Sequence, residues 1–398
     1  MKVPILRIKS VLLILLLFFS TDTILFGTNS NKIFLYMPRL IGIFFILALW
    51  IIGGRKSRFV GKEAILFVIM LFFLCASALI NKEDILTVLS RLISFSAAYY
   101  LAKHYNIEEF LDVFLQFVYV VSLAAILLEV IYYFAPGLLD YLPTITNTAG
   151  YHFKSIILSS IEMGQKGFCR AGGIFWEPGA FGVYLNFAIY FSLFYRKKLE
   201  RKKLIVYIIA LLITLSTTGY ISLLILGILY TILGEGFSNS KINKSVTVFC
   251  IMAIGIMVVL NNTALFDSLF GKIIHKSSTT MVRIASIIGG FQIAFTKPMF
   301  GVFASDIRPL MMVFQPSSGG MLTSTIAYQF AAYGFPFGSL FTLFSIKFFI
   351  KNKSKIFLSI GMIVFWFTVF ISETFFSFLP FIFVFFSIGG HKNEDCYY

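Results

Sequence analysis

The sequence predicts an all-α, polytopic integral membrane protein: one membrane domain over residues 1–398, with about twelve transmembrane helices and two long extracytoplasmic loops. Three observations predict it. The first is composition: 59% of the 398 residues are hydrophobic, 13% are charged and the mean hydropathy is +0.90, too apolar for a soluble domain. The second is a succession of apolar runs of spanning length joined by short polar connections. The third is where the charge sits. A net charge of +15 could suggest nucleic acid, but the lysines and arginines lie in short clusters between apolar runs, the pattern of cytoplasmic loops facing anionic lipid. The partner expected from this is membrane lipid, with no nucleic acid.

At the N-terminus, Lys2, Arg7 and Lys9 precede an apolar stretch over residues 11–19 in the manner of a signal peptide. There is no small-x-small cleavage site and a further apolar run follows, so the segment reads as an uncleaved first helix. Apolar runs lie near residues 11–27, 33–52, 64–80, 85–102, 110–134 and 178–195, then 246–260, 321–349, 356–371 and 374–389. Residues 204–235 would make a helix of about 48 Å, too long for one upright span and short for two. The sequence Ser216-Thr217-Thr218-Gly219 breaks this stretch in the middle. If the break is a turn at the outer surface, 21 basic residues fall inside and ten outside; a single span would instead carry the cluster Lys347, Lys351, Lys353 and Lys355 outside. Two helices are therefore expected here.

On this topology two outer connections are long, residues 135–177 and residues 261–320, and loops of that length tend to be functional. The second contains an apolar piece over residues 284–295, too short to span, which is expected at the interface or as a re-entrant segment. Asp22, Arg39, Arg91 and Glu129 each lie about 8 to 9 Å from the outer end of their helix, which suggests either a polar vestibule or structural pairing among them. Of Cys75, Cys169, Cys250 and Cys396, only Cys169 falls in an outer loop, so no extracytoplasmic disulfide is expected within the chain.

The richest polar segment is Cys169-Arg170-Ala171-Gly172-Gly173-Ile174-Phe175-Trp176-Glu177-Pro178-Gly179-Ala180-Phe181, a loop entering a membrane helix. Pro178 suits the first helical turn and Glu177 the cap, next to the positive end of the helix dipole. Glu177 could simply pair with Arg170. The histidines His104, His152, His275 and His391 are scattered, and neither an HExxH nor a G-x-S-x-G pattern occurs, so no metal, no cofactor and no hydrolase triad is expected. Arginine without metal suits a diphosphate, because guanidinium binds phosphate oxygens bidentately and stays charged.

The run from Arg170 to Gly179 resembles the R-x-x-G-x-F-x-E-P signature of Wzy-type O-antigen and capsule repeat-unit polymerases, in the O-antigen polymerase/ligase superfamily. Three further stretches are similar to that family: Ser216 to Tyr220; Arg283 followed by Lys297-Pro298-Met299-Phe300-Gly301; and, in a late helix, Ala331-Ala332-Tyr333-Gly334-Phe335-Pro336-Phe337-Gly338. The resemblance implies polymerisation of oligosaccharide repeat units carried on undecaprenyl diphosphate, at the periplasmic face of the bacterial inner membrane. It implies that a sugar hydroxyl attacks an anomeric carbon while the lipid diphosphate leaves, without metal or nucleotide sugar.

The catalytic residues so implied are Arg170, Arg283 and Glu177, the arginines on the diphosphate and Glu177 as base. A carboxylate at a helix N-terminus is favoured in its ionised form, which suits it equally to orienting Arg170 or a sugar hydroxyl. Lys166, Trp176, Asp306 and Arg308 are the substrate-binding candidates, with Asp306 as reserve base and Tyr151 and Phe153 as further faces for sugar rings. Two alternatives remain. An O-antigen ligase typically has a histidine before the helix that follows the second loop, where this chain has Gln315-Pro316-Ser317-Ser318-Gly319-Gly320. A flippase would be expected to show repeated halves and midplane charges, and neither is evident. Whether a chain-length regulator protein binds stays open.

Overall fold

The computed structural model describes residues 2–20, 23–25, 41, 42, 44, 45, 48, 61–147, 152–163, 169–196, 199–233, 278–350, 356–375 and 379–388. The expected span near residues 246–260, most of that near 33–52, and Asp22, Arg39, Tyr151, Lys166, His275, Cys250 and Cys396 lie outside the described residues.

The fold is mostly helical. Among the described residues, four helices are long and apolar enough to cross a membrane: α2 (Lys62–Ile80), α3 (Ile85–His104), α4 (Ile107–Phe134) and α10 (Thr325–Ile350). The others are α1 (Lys2–Ser20), α5 (Pro178–Phe194), α6 (Arg201–Ile213), α7 (Thr217–Leu233), α8 (Ser278–Thr296), α9 (Ile307–Phe314), α11 (Ile356–Ser372) and α12 (Leu379–Phe386). Local chemistry sets several boundaries. The Asp84 carboxylate accepts from the backbone N–H of Leu86 and Thr87 at the start of α3, and Asn106 with Glu109 forms a capping box on α4. Pro178 opens α5 with Glu177 at the cap, as the sequence predicts.

Ring contacts fix the helix directions. Phe95 meets Phe381 at 5.3 Å and Tyr99 meets Phe385 at 5.4 Å, so α12 runs parallel to α3. Gly179 lies against Glu373, just before α12, and Phe187 meets Phe383 at 5.0 Å, so α5 starts at the same end. Residues 204–235 do divide: a turn over residues 214–216 separates α6 from α7, with Leu215 at φ 48° and Ser216 Oγ accepting from Gly219 N–H. Phe194 meets Tyr230 at 6.3 Å while Ser216 packs by Gly182, so α7 returns alongside α5. Helix α5 is buried on nearly every side and forms the centre of the bundle.

The all-α expectation needs correction in the first long loop. Four of its segments form an antiparallel sheet, β1 (Thr144–Thr146), β2 (His152–Ile156), β3 (Ser159–Met163) and β4 (Cys169–Gly173), in the order β1-β2-β3-β4. It packs on the last turns of α4, whose 28 residues, about 42 Å, exceed a hydrocarbon core of about 30 Å. Leu128, Leu139, Ile161 and Cys169 make a small core there, and buried Glu129 accepts from Cys169 Sγ at 3.0 Å. Burial first, and then Glu129, raises the Cys169 thiol above its ordinary range. The strands are short, and the β2–β3 turn is Ile157-Leu158, without the glycine or asparagine that marks a hairpin in sequence.

Residues 284–295 belong to the longer helix α8, which runs beside the first part of α10, with Phe291 on Phe330 at 5.1 Å and Phe295 on Phe335 at 5.0 Å. Arg283 reaches Glu373 before α12, and Lys297, just past the end of α8, reaches Asn81 before α3 at 2.6 Å. Those two turns lie at the same end of the bundle, so α8 runs across that end. Helix α10 breaks at Gly334, φ 85°. The carbonyls of Ala331 and Ala332 accept from Val302 and Phe303 N–H at 2.9 Å each, and Phe335 N–H donates to the Pro298 carbonyl. Two of the resemblance motifs therefore interlock, satisfying backbone groups freed by the break.

Candidate functional site

Five ionisable groups meet where α5 begins. Arg170 on β4 pairs with Glu162, its neighbour on β3, at 3.0 Å, and its Nε donates to Thr214 O in the α6–α7 turn at 3.3 Å. The ion pair of Arg170 is thus with Glu162, and the Glu177 side chain makes no capping hydrogen bond with α5. It faces Glu373 instead. A Cβ built on Gly179 would lie 3.3 Å from Glu177 Oε1 and would overlap Glu373 Oε1, so glycine makes room for two carboxyl groups. Arg283 Nη2 approaches Glu373 Oε1 at 3.4 Å.

Glu373 is absent from the sequence-derived candidates. Its main chain is stapled: the carbonyl accepts from Thr325 N–H at 3.1 Å and from Thr325 Oγ1 at 2.5 Å, and Phe375 N–H donates to Thr325 Oγ1. Only 6% of its side chain is exposed. Burial, and then the neighbouring Glu177, pushes its carboxyl well above the usual range, against the opposing pull of Arg283 and Arg170. One signal could have found it, a lone carboxylate in the short turn between two apolar runs.

The remaining candidates are dispersed. Trp176 is half-buried against Phe375, at 5.6 Å, and its carbonyl accepts from Asn147. Phe153 is wholly buried beneath the sheet and offers no face to a sugar. Asp306 lines a different cleft, of about 370 Å³, with Thr296, Lys297, Val302, Pro309 and Leu310. Arg308 packs its stem by Gly320. Of the charges within helices, Arg91 lies over the Tyr328 ring at 5.7 Å and Glu129 bonds to Cys169, so these two have different partners.

The arrangement offers two partly exposed guanidinium groups, 25% and 31% exposed, beside a pair of carboxyl groups. Such a set can hold an anion such as a diphosphate and manage one proton close to it. The class defined is a mostly helical protein that has helices long and apolar enough to span a membrane and a charged site at one end. No protein-family model and no curated protein matches the chain.

Proposed function

We propose that the protein polymerises undecaprenyl-diphosphate-linked oligosaccharide repeat units of an O-antigen or capsule, with the charged end of the bundle facing the periplasm. The observation that carries the reading is the meeting of Arg170, Arg283, Glu177 and Glu373 at the start of α5, beside the sheet and helix α8. The arginines neutralise charge gathering on the leaving diphosphate, while the Glu177 carboxylate receives the proton of the attacking sugar hydroxyl. The acceptor oxygen bonds to the anomeric carbon as the carbon–oxygen bond to the lipid diphosphate breaks. Membrane helices bring a lipid-anchored donor to these groups without removing it from the bilayer.

The test is a gel of surface polysaccharide from the native host with the gene deleted and restored. Collapse of a long ladder to a core bearing one repeat unit is expected. Loss of every attached unit would overturn the reading in favour of a ligase or flippase.

A further inference from the structure

We infer that Glu373 works as a neutral carboxylic acid, donating a hydrogen bond to Glu177 and leaving the Arg283 guanidinium to the diphosphate of the substrate. The inference rests on the proposed function for the identity of that anion. Glu373 is thereby a positioning residue, acting through Glu177 and Arg283.

Charge balance is the first argument. With Arg170, Arg283, Glu162, Glu177 and Glu373 all ionised, the site carries one excess negative charge, the wrong sign for a diphosphate. With Glu373 neutral the five groups balance, and Arg283 faces the site without a carboxylate of its own. Geometry agrees. The Arg283–Glu373 contact is a single one at 3.4 Å, longer than the 2.7–2.9 Å usual for a charge-assisted bond. The two carboxyl groups crowd the space left by Gly179, where two negative charges cannot be held cheaply.

The surroundings leave Glu373 no other way to shed its charge. From β4 comes Arg170, already paired with Glu162 of β3; from α5 comes Glu177; from α8 comes Arg283. Helix α10 contributes the neutral Thr325, whose N–H and hydroxyl donate to the main-chain carbonyl of Glu373. Protonation is what remains, and burial favours it.

The experiment compares wild type, Glu373→Gln and Glu373→Ala as purified full-length protein, measuring binding of undecaprenyl diphosphate between about pH 6 and 9, together with polymer made in the deletion host. Glutamine keeps a neutral donor of the same length. It is expected to bind within about threefold of wild type at low pH and to lose the wild-type weakening at high pH, while alanine loses about tenfold or more. Glutamine as defective as alanine, with both present in the membrane at wild-type level, would overturn the inference even if wild type makes polymer. Binding as expected in a host whose ladder does not depend on the gene would keep the inference and remove the polymerase reading.

Discussion

Gly334 meets the carbonyl oxygen of Met299, which a Cβ on Gly334 would approach to 2.5 Å at a φ of 85°. The break in α10 and the segment after α8 are thus one structural unit, closed from the other side by Gly301, φ 66°, against Ala332. Gly334→Ala is expected to cost about 1–3 kcal/mol from the backbone conformation alone, with the collision adding to it. Thermal unfolding in detergent checks this, and a wild-type midpoint would contradict it.

Arg170 is held at two points, by Glu162 and by Thr214 O. A lysine cannot occupy both, whereas Glu162→Gln still offers an acceptor, and a partly exposed ion pair is worth about 0–1 kcal/mol. Arg170→Lys is therefore expected to shorten or abolish the polysaccharide ladder and Glu162→Gln to leave most of it. Equal ladders from the two variants would remove Arg170 from the site.

Much of the helical framework was legible in the sequence because spanning helices need long apolar runs. The break at Ser216 was legible from length and polarity together. The sheet was not, because its strands are at most five residues long and its central turn lacks turn residues. Arg170 and Glu177 could be read from one dense polar segment. Glu373 showed in sequence only as a lone carboxylate between two apolar runs, since its importance arises from Gly179, which is far away in sequence and leaves the space into which it reaches.

Orientation is tested at two exposed positions at opposite ends. Ile157, at the β2–β3 turn and 71% exposed, lies at the end bearing the charged site, and exposed Lys202 lies at the start of α6, at the other. In a background without the native cysteines, an impermeant thiol reagent is expected to label Ile157→Cys in intact spheroplasts and Lys202→Cys only after permeabilisation. The reverse pattern would put the site in the cytoplasm and end the polymerase reading.

Glu373 also makes stability depend on pH, with a sign opposite to that of an ordinary salt-bridged carboxylate. Its folded-state affinity for the proton is raised by burial, so between the unfolded value near 4.5 and its raised folded value the folded protein holds a proton that the unfolded chain releases. The folded state then binds more protons than the unfolded one, and stability falls as pH rises through this window. Glu373→Gln removes the titration while keeping the shape. In detergent, the wild-type melting midpoint is expected to fall as pH rises above 4.5, with a shallower fall in the variant. Parallel curves would mean that Glu373 is as ionised in the folded protein as in the unfolded chain, which the crowding of its carboxyl against Glu177 argues against.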